Sequence, residues 1–152
     1  LDPELLGPRI LRGRLYEKLG DDTAALREAE AMLSSGVGEP ERVAAWRDGI
    51  RARVSQAETS VASGLVQLLH LVTPDSAAAV LAERDLYAGL DFAVVTTRYS
   101  VGPTAAQGGD IGWIDPRDMV GELRRAIEAL AVQEISPPVA SGGLFHIFMR
   151  VR

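Results

Sequence analysis

Residues 65–72 are LVQLLHLV, a short apolar run that Gly64 precedes and Pro74 follows. Runs of this length that are rich in branched side chains are typical of buried strands, and glycine and proline are typical of their ends. His70 stands inside the run. We therefore predict a buried strand here, and this strand marks the change from a helical to a mixed pattern along the chain.

Upstream of this strand, residues 1–62 predict an α-helical segment. Apolar residues recur at helical spacing in residues 8–19 and, after a capping aspartate at position 21 or 22, in residues 23–34. A glycine-bearing loop at residues 34–38 separates them from a third helix, which opens at Glu39 with proline and acids in its first turn. The apolar stripe of the third helix, which we interpret as helix–helix core, comprises Val43, Trp46, Ile50 and Val54.

Downstream of residue 62 the elements alternate, and their order predicts a small α+β domain over residues 63–152. Helices are expected to end at glycine, and strands to be short apolar runs between turn residues. After the first strand, the predicted elements are helices at 76–88 and 91–99, a loop at 100–110, a strand at 111–114, a helix at 115–130, an edge strand at 134–139 and a last strand at 144–151.

Seven short motifs follow one another in this part of the chain. They are Leu69-His70-Leu71-Val72, Gly89-Leu90-Asp91-Phe92, Tyr99-Ser100, Gly108-Gly109-Asp110-Ile111-Gly112-Trp113, Met119, Glu134-Ile135-Ser136-Pro137-Pro138-Val139 and Leu144-Phe145-His146-Ile147. In this order and at these spacings they resemble parvulin-type (rotamase) peptidyl-prolyl cis–trans isomerase domains. The resemblance covers about residues 64–152. It implies a four-stranded antiparallel sheet surrounded by helices, which the α-helical segment precedes in this chain.

The resemblance also implies a site and an activity. The two histidines of the chain, His70 and His146, fall on the paired central-strand positions of the family, where they are expected to face one another beneath a proline pocket. The implied activity is rotation of X-Pro bonds in unfolded or proline-containing client polypeptides, without a cofactor or a metal. The implied walls of the pocket are Met119, Leu123 and Ile111, with Ile114 beside them.

Three departures from the family pattern bear on activity and specificity. Many active parvulins carry an aspartate or a cysteine directly after the Tyr-Ser motif, where this chain has Val101 and Gly102, and Leu123 stands where the pocket commonly has phenylalanine. Residues 73–76, TPDS, are short and acidic, so recognition of phosphorylated Ser-Pro or Thr-Pro is not expected. The domain resembles the broadly acting bacterial kind found in periplasmic chaperones and cytoplasmic maturation factors.

These departures leave an alternative open. The domain could be a catalytically weak or inactive parvulin-like chaperone or binding module, including a maturation factor for one dedicated partner. In either case, residues 1–62 are a candidate client-binding part, because helical segments attached to parvulin domains often form the client cradle.

Composition narrows the remaining classes. The net charge of −5, with basic residues spread along the chain, argues against a nucleic-acid partner, and no segment has the ~20 apolar residues of a membrane helix. Without cysteine a zinc site is not expected, although a site of two histidines and a carboxylate stays open. We interpret Asp110 as a turn residue.

The chain opens without Met or an apolar leader, so any signal peptide is expected to be missing or already removed. Localisation and oligomeric state stay open.

Overall fold

The structure is a computed structural model, and it describes residues 6–36 and 38–152. The chain forms two compact units, Leu1–Thr59 and Ser60–Arg152. The predictions for residues 1–5 and for Val37 in the loop at 34–38 lie outside the described residues. Among those described, no helix combines the length and apolar character needed to cross a membrane.

The first unit contains helices α1 (Leu6–Lys18), α2 (Asp22–Ser34) and the greater part of α3 (Pro40–Ala62). The predicted cap of α2 is confirmed, since the Asp21 carboxylate accepts a hydrogen bond from the Ala24 backbone N–H at 2.8 Å. The helices meet at small and aliphatic side chains, because alanine lets backbones approach closely. The core comprises Ala25, Ala29 and Ile50, against which Tyr16, Leu26, Trp46 and Val54 pack.

The second unit is a four-stranded antiparallel sheet with helices on both faces, which confirms the predicted fold class. Its spatial order is β2-β1-β4-β3, so the two longest strands are central. The elements are β1 (Val66–Thr73), α4 (Ser76–Tyr87), α5 (Phe92–Tyr99), β2 (Asp110–Ile114), α6 (Gly121–Glu128), β3 (Val139–Ser141) and β4 (Leu144–Arg150).

Side chains of β1 and β4 alternate between two apolar clusters, as period-2 burial requires. On one face, α4 and α5 cover Leu71 of β1 and Ile147 of β4. On the other face, α6 packs its Leu123 and Ile127 against Leu68 of β1. His70 and His146 lie on this second face, because each is separated by an even number of residues from a member of its cluster, which also contains Phe148.

The prediction of one helix over residues 115–130 is wrong. The structure has a 3₁₀ turn at Pro116–Asp118, extended backbone at Met119, and then the separate helix α6. The cause is local, since the Asp115 carboxylate accepts from the Arg117 backbone N–H at 2.9 Å and closes a tight turn around Pro116. Met119 therefore lies in a connection and not on a helix.

The predicted edge strand at 134–139 is displaced. Ladder pairing with β4 begins only at Val139, and upstream of it the structure has a single bridge between Ile135 and Met149. The physical reason is that Pro137 and Pro138 have no N–H to donate, so a regular ladder cannot pass through them.

Candidate functional site

The two histidines form a direct pair on the sheet. In the β1–β4 register, His70 stands opposite Phe148 and Val72 stands opposite His146, so the histidines are diagonal neighbours on one face. The His70 Nε2 and His146 Nδ1 atoms lie 2.9 Å apart. Their rings are nearly parallel, at an interplanar angle of 10°. The pairing that the family resemblance implied is therefore present in the geometry.

The hydrogen-bond partners of the rings indicate which ring nitrogens carry a hydrogen. His146 Nε2 lies 3.2 Å from the Ser141 carbonyl oxygen, and a carbonyl can only accept, so this nitrogen carries the hydrogen. His146 Nδ1 is then the acceptor, and His70 donates to it through Nε2–H. Burial, followed by the proximity of His146, lowers the pKa of His70 from 6.5 to about 4. His70 is therefore uncharged at neutral pH.

Phe148 connects the histidine pair to the apolar cluster. Its ring is fully buried and stacks on His70 with centroids 4.5 Å apart. It belongs to the same cluster as Val66, Leu68 and Leu123. The imidazoles thus rest on an aromatic floor, which excludes water from one side of the pair.

All four predicted pocket residues join this cluster. Leu123 is buried, and Ile111, Ile114 and Met119 are partly buried and pack against it. They come from different elements: two from β2, one from the extended connection before α6, and one from the first turn of α6. The structure therefore brings the predicted histidines and the predicted pocket walls to one face of the sheet, around a single apolar cluster.

Gly109 allows β2 to start against His70. Its backbone has a positive φ of 82°, and a Cβ added there would lie 2.6 Å from the His70 carbonyl oxygen. The Gly109 carbonyl in turn accepts from the His70 N–H at 2.7 Å. Only glycine combines this conformation with so close an approach. Asp110 is the first residue of β2 and not a turn residue, but its carboxylate makes the predicted bond to nearby backbone, since it accepts from the Gly112 N–H at 2.8 Å.

The loop after α5 is fastened to β1 by Ser100. The Ser100 hydroxyl oxygen accepts from the Val72 N–H at 3.1 Å and from the Gly102 N–H at 3.2 Å, and Val101 donates its N–H to the Val72 carbonyl at 2.8 Å. Val72 is two residues beyond His70 on the same strand face. The positions where many parvulins carry a polar residue therefore lie next to the histidine face, and here they hold an exposed valine and a glycine.

A buried carboxylate anchors the end of α5 that feeds this loop. Asp85 of α4 accepts from the Tyr99 hydroxyl at 2.8 Å and from Arg98 at 3.0 Å. The hydrogen bond from Tyr99, followed by one from Arg84 at 3.1 Å, holds the pKa of Asp85 below its ordinary value. The anchor fixes the residue that directly precedes Ser100.

The sequence interpretation missed Phe148, the Ser141 carbonyl and the hydrogen bonds that Ser100 accepts from the backbone of Val72 and Gly102. Phe148 had a usable signal, because it follows His146 by two residues on a predicted strand and must share its face. The Ser141 carbonyl and the Ser100 hydrogen bonds depend on backbone positions that no side-chain pattern reveals. Within residues 6–36 and 38–152, no group of three or more histidines, aspartates and glutamates is placed to hold a metal ion.

A sheet face that carries paired histidines beside an apolar cluster agrees with the arrangement that the resemblance to rotamase-type isomerase domains implied, and comparison with known proteins agrees as well. The family model described as the PPIC-type PPIase (rotamase) domain matches residues 75–152, which is half of the chain. The chain therefore belongs to the PPIC-type peptidyl-prolyl cis–trans isomerase family.

Two curated relatives and one solved structure show the extent of the similarity. The chaperone SurA of Bordetella parapertussis is 29% identical over 138 residues, which cover 86% of this chain and 27% of SurA. The foldase protein PrsA of Geobacillus kaustophilus is 35% identical over 83 residues, covering 54% of this chain and 30% of PrsA. A crystal structure of a PpiC-type isomerase domain shares the fold at a TM-score of 0.54 and 24% identity, covering 57% of this chain and 88% of that one. The chain thus spans less than a third of the length of these curated relatives.

Proposed function

We propose that residues 60–152 catalyse cis–trans isomerisation of X-Pro bonds in client polypeptides. The observation that carries this proposal is the convergence of His70, His146, Met119 and Leu123 around one apolar cluster. An apolar surface of this kind suits a proline ring, which is compact and has no N–H to satisfy. The uncharged His70 adds a polar ring without adding a charge.

The chemistry asked of such a site is modest, because no covalent bond breaks. Amide resonance sets a rotation barrier of ~18–20 kcal/mol, and exchange about X-Pro bonds takes tens to hundreds of seconds. A site that binds the twisted amide better than either planar form lowers this barrier. Each ~1.4 kcal/mol of that preference gives a tenfold gain in rate.

The proposed roles follow from position. Met119, Leu123, Ile111 and Ile114 hold the proline ring and exclude water. His70 and His146 form the floor beside the rotating amide, and their hydrogen bonds to each other and to the Ser141 carbonyl keep them in one arrangement. We propose no cofactor and no metal.

We further propose that recognition does not depend on phosphate. The connection Thr73–Ser76 contains an aspartate and no lysine or arginine. Asp75 is committed to capping α4, since its carboxylate accepts from the Ala78 N–H at 2.8 Å. A dianionic phosphoserine needs cationic donors, which this connection does not supply.

The test is an isomerisation assay by exchange NMR on Ala-Pro and Leu-Pro peptides. The wild-type chain is compared with His146→Ala and Met119→Ala, and with Val80→Ala, an exposed position of α4, as the matched control. We expect acceleration by the wild type, a reduction of roughly tenfold or more in each site variant, and no change in the control. No acceleration by a folded wild-type chain would refute the proposal.

A second candidate is a parvulin-like binding or chaperone module with little rate enhancement, serving many clients or one dedicated partner. The observation that favours it is the absence of a polar side chain at Val101 and Gly102, beside the histidine face. Peptide binding in the pocket without acceleration would support this candidate. A pull-down that yields one dominant client would favour the dedicated partner, and a broad set would favour the general chaperone.

We also propose that the helical unit, residues 1–59, contributes to polypeptide binding. Support comes from the SurA relative, a chaperone by name, because its similarity extends over 86% of this chain and so reaches beyond the isomerase domain. The unit also has an apolar core of its own, so its fold, and therefore the surface that it presents, does not rely on the sheet of the second unit.

A further inference from the structure

Helix α1 exposes a stripe of leucines. Leu11, Leu15 and Leu19 follow one another at intervals of four residues, so they share one face of the helix and of the turn that follows it. Their exposed fractions are 72%, 53% and 70%. The opposite side of α1 faces the unit's core, where Gly13 is buried against Trp46. A helix that buries one face and also exposes a leucine stripe on the other presents a surface suited to another molecule.

A cationic cleft borders this stripe. Arg12 and Tyr16 directly follow Leu11 and Leu15, and therefore lie on the adjacent strip of the helix surface. Together with Arg9 of α1 and Arg27 and Glu28 of α2, they line a cleft of about 360 Å³. It holds three guanidinium groups and one carboxylate, although the chain as a whole carries a net charge of −5.

The charges of the cleft are only partly neutralised. Arg12 pairs with Glu28 at 3.2 Å. Arg9 and Arg27 have no carboxylate partner in the part of the chain that the structure describes. With respect to the described carboxylates, the Arg9 and Arg27 guanidinium groups are therefore open to an external carboxylate, which arginine binds with two parallel hydrogen bonds.

We propose that this surface, the leucine stripe with the adjoining arginine cleft, binds an acidic amphipathic helix of a partner polypeptide. The apolar face of that helix covers Leu11, Leu15 and Leu19, and its glutamates or aspartates enter the cleft beside Arg9 and Arg27. Helices that dock in this way present anchors every three or four residues, which matches the spacing of the stripe. A second copy of α1 is disfavoured as the occupant, because it would bring its own arginines against these.

This inference rests on the proposal that the helical unit binds polypeptides, and it adds the surface and the chemistry of the bound segment. It does not depend on the isomerase site, since every residue that it uses lies in α1, in the turn after it or in α2. The two activities can therefore be measured separately on the same sample of the full chain.

The test is fluorescence anisotropy with three labelled peptides of roughly 18 residues, or about five helical turns. One has a leucine stripe edged by glutamates, the second replaces those glutamates by lysine, and the third has the composition of the first in scrambled order. We expect the glutamate peptide to bind roughly tenfold or more tightly than either other peptide, and the difference to shrink as salt is added.

Variants locate the binding surface. L11S/L15S is expected to weaken binding of the glutamate peptide by roughly tenfold, and R9E/R27E by a similar factor. R9K/R27K keeps the positive charges but not the paired hydrogen bonds of arginine, so its affinity is expected to fall between those of the wild type and R9E/R27E. The matched controls are Val80→Ser, an exposed apolar residue of α4, and Arg125→Glu, an exposed arginine of α6, and neither is expected to change binding. Circular dichroism establishes that each variant is folded.

Three results would overturn the inference. Equal affinity for the glutamate and lysine peptides would leave a polypeptide-binding unit without this charge preference. Binding that L11S/L15S and R9E/R27E leave unchanged would place the peptide elsewhere. The third result concerns sedimentation with vesicles of phosphatidylglycerol and phosphatidylcholine. If the wild type sediments with them, the same variants do not, and the glutamate peptide does not bind, the surface belongs to an anionic membrane. Isomerase activity, measured in parallel, reports on the other proposal independently.

Discussion

The imidazole of His70 stacks on Phe148, hydrogen-bonds to His146 and is largely removed from water, so the folded chain disfavours its protonated form. In the unfolded chain the same group has an ordinary pKa near 6.5. Between that value and the folded pKa of about 4, the unfolded chain binds more protons than the folded chain. The free energy of unfolding must therefore fall as the pH drops through this window.

We expect this effect to cost of order 1–2 kcal/mol between pH 7 and pH 4.5, after allowance for the partial exposure of the ring. The measurement is urea unfolding at both pH values for the wild type and for His70→Phe, which keeps an aromatic ring on Phe148 but cannot titrate. The variant should lose less stability than the wild type. Equal losses, or an NMR titration that puts the pKa of His70 near 6.5, would contradict the prediction.

At the same scale, Gly109→Ala is expected to destabilise the second unit by roughly 3–4 kcal/mol, because the added methyl meets the His70 carbonyl and the backbone is left-handed. The matched control is Gly142→Ala, where φ is also positive, at 59°, but no atom lies within 4 Å of the added methyl. That substitution should cost only about 1 kcal/mol. Thermal unfolding of the two variants measures the difference, and equal losses would mean that the contact with His70 relaxes freely.

Among the elements, the loop after α5 has the clearest effect on the proposed chemistry. Gly102 does not have a positive φ, and a Cβ added there would lie 3.2 Å from a Val72 methyl group, so small side chains fit after a slight shift. We expect Gly102→Cys and Gly102→Asp to raise the isomerisation rate several-fold over Gly102→Ala, because only the first two add a polar group beside the rotating amide. Exchange NMR on the peptides used for the wild type measures the rates.

The alanine variant is the essential control, because it introduces the same steric change without the polar group. Rates that rise equally in all three variants would assign the effect to loop rigidity. Rates that stay at the wild-type level in all three would mean that the loop does not face the substrate carbonyl.

The elements also show which features a sequence can predict. Helices α2 and α4 follow from local signals, since Asp21 and Asp75 cap the first turns that come directly after them. The position of Met119 does not, because the turn around Pro116 interrupts what hydrophobic spacing presents as one helix. The approach of His70 to His146 was implied by the family resemblance. Its 2.9 Å separation depends on the β1–β4 register, which single-sequence patterns do not determine.

For the whole molecule, two compact units with separate apolar cores predict unfolding in two steps. Each unit contains one tryptophan, Trp46 in the first and Trp113 in the second. In the variant Trp113→Phe, the fluorescence of Trp46 reports on the first unit, and NMR amide signals of β1 and β4 report on the second. We expect the two probes to show urea transitions at different midpoints. Coincident transitions by both probes would contradict the prediction and indicate one cooperative unit.

Pro137 and Pro138 lie just before β3, the strand at one border of the sheet. An open sheet border is a template on which an extended chain can align and aggregate, and proline is one of the devices that natural proteins use against it. A protein proposed to handle unfolded chains would meet this hazard continually. The proline pair limits regular pairing at this border to three residues, which leaves little of it on which an extended chain could align.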